Sequence, residues 1–205
     1  MAVDWQRHWD TVYQTRTPTE VSWHQDNPAR SRDLIRRSGI SRSAPIVDVG
    51  GGASRLVDYL LADGFTNVTV VDVSAAALQY ARQRLGPAAE RVTWVETDIM
   101  TFSPGRRFKL WHDRAVFHFL TEAAERQRYL TALRAGLAPR GHVVMATFGP
   151  GGPERCSGLP VRRYSAATLA AEFGGFVLVE EEQELHVTPA GTGQQFQYCW
   201  LRREA

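Results

Sequence analysis

The stretch Pro45-Ile46-Val47-Asp48-Val49-Gly50-Gly51-Gly52-Ala53-Ser54 decides the fold of this 205-residue chain. Its first five residues, PIVDV, predict a short strand that is buried on both faces. The three glycines that follow allow the backbone to approach a ligand closely, and they lead into a helix N-terminus. A strand, a glycine-rich turn and a helix are the first half of a βαβ unit. The stretch therefore predicts a parallel sheet.

Short β-branched runs alternate with longer Ala/Leu/Arg-rich stretches along most of the remaining chain. The predicted strands are Pro45–Val49, Val68–Val73, Val92–Val95, Phe108–Trp111 and His142–Ala146. The predicted helices are Ser54–Ala62, Ser74–Leu85, Thr121–Leu137 and Ser165–Phe173. Right-handed crossovers between such strands build an open, mostly parallel α/β sheet.

The two ends of the chain depart from this alternation. The last two predicted strands, Phe176–Gln183 and Gln194–Leu201, are joined by a short GTG-containing connection and predict an antiparallel hairpin. The first 44 residues predict two helices, near Trp5–Tyr13 and Pro28–Arg37, around a Pro-containing loop. We therefore expect a helical lid or cap over residues 1–44 and a ligand-binding domain over residues 45–205, in one domain overall.

Composition narrows the classes of function. The 24 Lys and Arg residues against 22 Asp and Glu residues leave a formal net charge of +2, so a nucleic-acid partner is not expected. Two cysteines cannot by themselves form a disulfide framework or a four-ligand metal site, so no metal is expected. The sequence shows neither a membrane-length apolar run of roughly 18 residues nor a signal-peptide core. We expect a cytoplasmic protein with no membrane partner.

Acidic residues at the ends of two strands predict the kind of ligand. Ligands of open α/β sheets bind beyond the carboxyl ends of the strands. Asp72 ends the second predicted strand, where a carboxylate can accept hydrogen bonds from both ribose hydroxyls. Asp98 follows the third, where it can accept one from the exocyclic amine of adenine. Together with the glycine-rich turn, they predict a ligand that contains adenosine.

The glycine-rich turn argues against a dinucleotide. The fingerprint G-x-G-x-x-G requires a third glycine where this chain has Arg55. Asp48 lies two residues before Gly50, where it would repel a pyrophosphate and attract an ammonium group. No Gly-Lys-Ser/Thr sequence occurs, so a P-loop is absent. The pattern favours a ligand with adenosine at one end and an amino acid at the other.

Five segments resemble, in order and spacing, the successive motifs of class I S-adenosylmethionine-dependent methyltransferases. They are DVGGGASRL (48–56), VTVVDVS (68–74), ETDIM (96–100), WHDRAVFHFL (111–120) and PRGHVVMATF (139–148). The resemblance implies a Rossmann-like, doubly wound sheet of seven strands with an antiparallel last strand. It also implies S-adenosylmethionine as the cofactor and S-adenosylhomocysteine as the product. The residues that it assigns to the cofactor are Asp48, Gly50, Gly51, Gly52, Asp72, Val73, Asp98, Ile99 and Asp113.

The N-terminal segment adds a narrower resemblance. Trp5-Gln6-Arg7-His8-Trp9 and Trp23-His24-Gln25 are similar to the start of thiopurine methyltransferases, and Pro153–Pro160 is similar to a loop of that family and of tellurite methyltransferases. A lid of aromatic side chains near a cationic sulfur is the function we expect for this segment. The alternative is that the aromatic residues only pack the first helix onto the sheet. The residues concerned are Trp5, Trp9, Tyr13 and Trp23.

The catalytic candidates follow the fourth predicted strand and are Asp113, Arg114 and His118. Methyl transfer from a sulfonium is an in-line displacement, so positioning and the exclusion of water matter most. His118 can accept a proton from the acceptor, or it can be a structural histidine between two phenylalanines. Arg114 can anchor an anionic acceptor or pair with a local carboxylate. His112 is expected only to pack.

The sequence therefore predicts an S-adenosylmethionine-dependent methyltransferase that moves a methyl group to a heteroatom of a small-molecule acceptor. A protein-lysine methyltransferase is one alternative, and a cofactor-binding module without catalysis is another. A protein substrate would give a role to an acidic run near the C-terminus, although such runs are more commonly solvated. The run consists of Glu180, Glu181, Glu182 and Glu184.

Overall fold

The computed structural model describes residues 3–204, and a seven-stranded sheet forms its centre. The strands of this sheet are β1 (Ile46–Val49), β2 (Val68–Asp72), β3 (Val92–Glu96), β4 (Phe108–Arg114), β5 (Leu137–Phe148), β8 (Phe176–Val187) and β9 (Gly193–Arg203). Two shorter strands, β6 (Arg155–Cys156) and β7 (Leu159–Pro160), pair as a small hairpin after β5. The sequence did not predict this hairpin, because runs of two residues show no periodicity.

The strands follow the order β3-β2-β1-β4-β5-β9-β8 across the sheet. Strands β1 to β5 are parallel, and β9 lies antiparallel between β5 and β8. The order reverses direction between β1 and β4, which creates the switch point at which doubly wound sheets bind ligands. The predicted mostly parallel sheet with an antiparallel C-terminal hairpin is confirmed.

Helices cover both faces of the sheet. Those within residues 3–204 are α1 (Trp5–Thr15), α2 (Ala29–Arg37), α3 (Leu56–Ala62), α4 (Ala75–Leu85), α5 (Ala123–Gly136) and α6 (Ala166–Glu172), with 3-10 turns at Gly86–Arg91 and Phe117–Phe119. Ser74 caps α4 as predicted, because its hydroxyl accepts a hydrogen bond from the backbone N–H of Ala77 at 3.2 Å. In this part of the chain, no helix is both long enough and apolar enough to cross a bilayer.

The observed strands are longer than predicted where polar residues continue them. β4 continues past its predicted end at Trp111 to Arg114, and β5 begins at Leu137 rather than at His142. β4 lies between β1 and β5, so backbone hydrogen bonds on both sides hold its polar end in the sheet. A pattern of apolar residues in the sequence cannot predict such an extension. The hydrogen bonds between strands join backbone atoms, so they do not depend on which side chain is present.

Alternate residues of the central strands face two separate apolar layers. In β1, Ile46 packs into the layer that contains Leu34 of α2 and Leu60 of α3. Val47, on the opposite face, packs into the layer that contains Leu133 of α5. All five side chains are at most 1% exposed, and burial of each such side chain contributes about 1.5–3 kcal/mol.

The acidic run of β8 anchors the N-terminal segment to the sheet. Arg30 and Arg37 of α2 form ion pairs with Glu182 and Glu180, respectively. Arg37 also contacts Glu182 at 2.9 Å. The expectation of a solvated or partner-binding run is therefore wrong for these two glutamates, because α2 presents arginines to them.

Asp113, which the sequence analysis assigned to the cofactor and to catalysis, lies in the core beside α5. Its side chain is fully buried and borders neither of the two cavities described below. The Tyr129 hydroxyl donates to Oδ2 at 2.6 Å, and the N–H groups of Val116 and Phe117 donate to Oδ1 at 3.0 and 3.4 Å. The Trp111 Nε1–H donates to the Tyr129 hydroxyl at 2.9 Å. The hydrogen bonds of Asp113 thus connect the turn after β4 to α5.

Burial raises the pKa of Asp113 from its ordinary value of 3.8 to about 6, although the hydrogen-bond donors around it favour the charged form. The folded protein consequently binds a proton that the unfolded chain releases between these two values. The contribution of this carboxyl to stability is therefore greatest below pH 4 and declines as the pH rises to about 6.

Replacement of the Tyr129 hydroxyl tests this buried network. Tyr129→Phe leaves Asp113 Oδ2 and the Trp111 Nε1–H without a partner, so we expect the free energy of unfolding at pH 7 to fall by about 1–3 kcal/mol. The loss should be smaller at pH 5, where Asp113 is mostly protonated and less dependent on a donor. Urea unfolding followed by circular dichroism measures both values. Tyr80→Phe is the matched control, because Tyr80 is 40% exposed. Equal losses for the two variants would contradict the network.

Candidate active site

A cavity lies at the carboxyl ends of β1 to β4, at the switch point of the sheet. The open space in and around this larger cavity, which includes part of the surrounding solvent, is about 800 Å³. Val49, Asp72, Asp98 and Arg114 border it from the strand ends, and aromatic residues of the N-terminal segment border it as well. A smaller, more polar cavity of about 560 Å³ shares Gly50 and Arg114 with it. The two spaces therefore adjoin across the glycine-rich turn.

Asp72 presents a buried carboxylate to the larger cavity from the end of β2. Its Oδ2 accepts from the backbone N–H of Gly52 at 3.0 Å, and its Oδ1 accepts from that of Ser74 at 2.9 Å. Burial raises its pKa to about 6, the two N–H groups oppose this shift, and the charge of Asp48 adds to it. Each oxygen keeps a further lone pair, so the carboxylate can also accept from ligand hydroxyls.

Asp48 is buried in β1 and borders the smaller cavity with one free oxygen. His112 Nδ1 lies 2.7 Å from Oδ1, whereas Oδ2 has no hydrogen-bond partner within residues 3–204. A Cβ at Gly51 would lie 2.4 Å from Oδ2, so only glycine allows the carboxylate to lie directly against the turn. A buried, unpartnered carboxylate oxygen requires a donor, and a ligand ammonium group can supply one.

Gly52, which the sequence analysis assigned to the cofactor, borders neither cavity. A Cβ there would lie 2.5 Å from Asp72 Oδ2 and 2.6 Å from the Cβ of Ala77. The glycine is therefore required for the close approach of the turn to β2 and α4, rather than for an approach to the ligand. Gly50 and Gly51 both border the smaller cavity.

Val73, Asp98 and Ile99 come together at the wall of the larger cavity. Asp98 Oδ1 accepts from the backbone N–H of Met100 at 2.8 Å, which holds the carboxylate in the turn after β3. The side chains of Val73, Ile99 and Met100 add apolar surface on which a planar ring can lie. The structure thus brings the predicted strand-end residues to one cavity, although they lie far apart in the sequence.

Aromatic side chains of the N-terminal segment close the larger cavity. The ring of Trp9 meets Phe119 and Trp23 edge to face, with centroids 5.1 and 5.6 Å apart. Trp23 Nε1–H donates to the Tyr13 hydroxyl at 3.3 Å, and burial raises the pKa of Tyr13. Trp5 also borders the cavity. These residues pack α1 onto the core and form a wall of the cavity at the same time.

Arg114 extends from the end of β4 and borders both cavities. Its Nε donates to the Tyr198 hydroxyl and its Nη1 to the Trp23 carbonyl, each at 3.0 Å. Its guanidinium stacks over Phe196, 4.2 Å from the ring centroid. The buried Nη2 has no hydrogen-bond partner in the described residues, and the Glu184 carboxylate lies 3.8 Å away from it. The cation is thus held in place with one donor unused.

The surroundings of His118 favour the structural alternative over the general base. It is fully buried and borders neither cavity. The backbone N–H of Phe148 donates to His118 Nδ1 at 3.2 Å, and the imidazole centroid lies 4.5 and 4.6 Å from the ring centroids of Phe119 and Phe148. Burial lowers its pKa to about 3, and the charge of Arg114 adds to this shift. A neutral imidazole behind the wall cannot take a proton from an acceptor.

The sequence analysis missed a hydrogen-bonded chain that ends at Asp48. His112 Nε2 lies 2.8 Å from Ser31 Oγ, and His112 Nδ1 contacts Asp48. All three side chains are at most 2% exposed. His112 therefore does more than pack. Its polar character inside a buried strand was the available signal, but Ser31 comes from α2, and nothing in the sequence predicts that contact.

The comparisons with known proteins agree with this fold. A family model described as "Methyltransferase domain" matches residues 46–141. "Nodulation protein S" of Bradyrhizobium diazoefficiens is 30% identical over 135 residues, which are 66% of this chain and 61% of the relative. "EEF1A lysine methyltransferase 2" of Danio rerio is 24% identical over 157 residues, 68% of this chain and 66% of the relative. The chain thus spans less than two thirds of these curated relatives.

A solved structure extends the similarity over most of the chain. The Burkholderia thailandensis 1,6-didemethyltoxoflavin-N1-methyltransferase, with bound 1,6-didemethyltoxoflavin and S-adenosylhomocysteine, has a TM-score of 0.68 and is 24% identical. The similarity covers 95% of this chain and 81% of that one. At this identity, the likeness shows a shared fold. With the matching family model and the curated relatives, it makes the chain similar to the class I S-adenosylmethionine-dependent methyltransferases.

Proposed function

We propose that this protein binds S-adenosylmethionine at the carboxyl edge of its sheet and transfers the methyl group to a heteroatom of a small-molecule acceptor. The observation that carries the proposal is the free, buried Oδ2 of Asp48. It lies against the glycine-rich turn, and Asp48 borders the smaller cavity, which adjoins the larger cavity that Asp72 and Asp98 border. Carboxylates of this kind suit a ligand that has an ammonium group, ribose hydroxyls and an adenine amine.

The residues around the two cavities fit the parts of this cofactor. Asp48 would accept from the ammonium group, Asp72 from the ribose hydroxyls and Asp98 from the adenine amine. The apolar side chains of Val73 and Ile99 would lie against the adenine ring.

The catalytic contribution of the chain is to enclose and orient the reactants. When bound, S-adenosylmethionine supplies an electrophilic methyl group on a sulfonium sulfur. Trp9, Tyr13, Trp23 and Phe119 line the larger cavity and would shield bound reactants from water, and aromatic rings favour a nearby cation. Enclosure also restricts the acceptor to few orientations, which is the main requirement of an in-line displacement.

Arg114 supports an acceptor that has an anionic or carbonyl oxygen. Its unused Nη2 donor borders the larger cavity, and its other donors are fixed by Tyr198 and Trp23. Cys156 also borders this space, and burial raises the pKa of its thiol to about 11. Since Tyr13 and Cys156 both keep their protons near neutral pH, neither is a base for the acceptor. An acceptor that already has a free lone pair, such as an amine or a ring nitrogen, suits this site.

One relative supports a small-molecule acceptor, and another supports a protein acceptor as the alternative. The toxoflavin enzyme from Burkholderia thailandensis is an N-methyltransferase whose structure contains a small heterocycle, which favours nitrogen as the acceptor atom. The Danio rerio relative is a lysine methyltransferase, which favours a protein acceptor. The aromatic wall over the larger cavity supports the small molecule, because a lysine side chain needs an open channel to solvent.

The pH dependence of cofactor binding tests the role of Asp72. Ribose hydroxyls that donate to the carboxylate favour its charged form, so binding lowers the pKa of Asp72 below its free value of about 6. Affinity for S-adenosylhomocysteine should therefore rise about 10-fold between pH 5 and pH 7 and then level off. Isothermal titration calorimetry measures this profile.

Two aspartate variants complete that experiment. Asp72→Asn should weaken binding at pH 7 and remove the rise between pH 5 and pH 7. Asp33→Asn is the matched control and should keep the wild-type profile, because Asp33 lies on α2 and pairs only with Arg36 and Arg37. If the wild-type protein does not bind S-adenosylhomocysteine at any of these pH values, the proposed function is wrong.

A methyl-transfer screen tests the acceptor. We expect S-adenosylhomocysteine to form with small aromatic amines or nitrogen heterocycles, and acceptors that also have a carboxylate should have the lower KM. Arg114→Gln should lower kcat/KM for the carboxylate-bearing acceptors by about 10- to 100-fold, since it removes a charged hydrogen bond. Thermal unfolding checks that this variant is folded. Arg162→Gln, at a position with a 45% exposed side chain, is the control.

The same screen distinguishes the alternatives. Transfer only into lysate protein would support a protein-lysine methyltransferase and contradict the small-molecule acceptor. Binding of S-adenosylmethionine without transfer to any acceptor in the panel would favour a cofactor-binding module. Equal losses of Arg114→Gln on charged and uncharged acceptors would contradict an anion contact at Arg114.

A further inference from the structure

The chain Ser31–His112–Asp48 crosses three elements and ends at the proposed cofactor site. Ser31 lies on α2, His112 on β4 and Asp48 on β1. The contacts are short, at 2.8 Å between Ser31 Oγ and His112 Nε2 and at 2.7 Å between His112 Nδ1 and Asp48 Oδ1. All three residues border the smaller cavity.

The hydrogen bonds have one direction that satisfies every group. With a neutral imidazole, the Ser31 hydroxyl donates to Nε2, and the Nδ1–H donates to Asp48 Oδ1. In this arrangement the negative charge stays on Asp48, and only one of its two carboxylate oxygens accepts a hydrogen bond. Oδ2 is then the one acceptor in the chain without a donor among the residues that the structure describes.

We infer that Ser31 and His112 are positioning residues that hold the free oxygen of Asp48 toward the smaller cavity and make the site selective for a ligand with an ammonium group. The inference rests on the proposed function, since it concerns the amino-acid end of the same cofactor. Its physical basis is the soft terminal torsion of an aspartate side chain, whose two oxygens exchange places easily unless a fixed donor holds one of them. His112 is that donor, and Ser31 fixes its tautomer.

Another charged group at the smaller cavity agrees with an amino-acid ligand. Arg55 borders it as well, and its buried Nε has no hydrogen-bond partner in the described part of the chain. A carboxylate of the ligand can meet this cation while its ammonium group meets Asp48. The cavity thus offers both signs of charge, which suits a zwitterionic group rather than a phosphate.

Comparing the binding of two ligands distinguishes a positioning role of Ser31 and His112 from a purely structural role. S-adenosylhomocysteine has the amino-acid group, whereas 5′-methylthioadenosine has the adenosine part without it. We expect His112→Leu to weaken S-adenosylhomocysteine binding by about 10-fold and Ser31→Ala by about 3-fold, since each removes one hydrogen bond from the chain. Affinity for 5′-methylthioadenosine should stay within about 2-fold in both variants. Calorimetry at pH 7 measures each affinity.

Two further variants control for folding and for the helix. His112→Asn keeps a donor close to the position of Nδ1, so it should recover most of the affinity that His112→Leu loses. Ser38→Ala changes a serine at the end of the same helix whose hydroxyl donates to the Ile35 carbonyl, and it should leave both ligands unaffected.

The outcomes are distinct. If the wild-type protein binds neither ligand, the proposed function fails. If it binds both, and Ser31→Ala and His112→Leu weaken the two ligands equally or not at all, the inference is overturned while the proposed function stands. A loss restricted to S-adenosylhomocysteine, with recovery in His112→Asn, supports it.

Discussion

The structure depends on a buried carboxylate at the end of its first strand. Asp48 lies under the glycine-rich turn, with one oxygen against His112 and the other without a donor. A buried charge is tolerated only when it is paired and hydrogen-bonded. Much of what surrounds it follows from this requirement. Gly51 leaves space for the carboxylate, β4 contributes a histidine in an otherwise apolar strand, and α2 contributes the serine that orients it.

The N-terminal segment connects this carboxylate to the rest of the molecule. Its helix α2 carries Ser31 on one side and the arginines that pair with the glutamates of β8 on another. Its aromatic residues form the wall of the larger cavity. A displacement of α2 would consequently disturb the ion pairs, the hydrogen-bonded chain and the aromatic wall together. The sheet thus provides the cavity floor, and the segment completes the site.

Charge is distributed unevenly across the two cavities. Carboxylates at the ends of β1, β2 and β3 face the space that we assign to the cofactor, and the cation of Arg114 faces the space between cofactor and acceptor. The titratable hydroxyl and thiol at the larger cavity, on Tyr13 and Cys156, are held protonated by burial. Such a site favours orientation and enclosure over proton transfer. This agrees with the demands of methyl displacement.

The sequence by itself determined the parallel sheet, the antiparallel hairpin and the strand-end residues Asp48, Asp72 and Asp98. These follow from local periodicity and from the rule that ligands bind beyond the carboxyl ends of parallel strands. Only the tertiary structure decided that Asp113 and His118 are buried in the core, and that Ser31 and His112 support Asp48. The physical reason is distance along the chain: a polar residue near a motif looks the same in the sequence whether its partner is a ligand or a side chain many residues away.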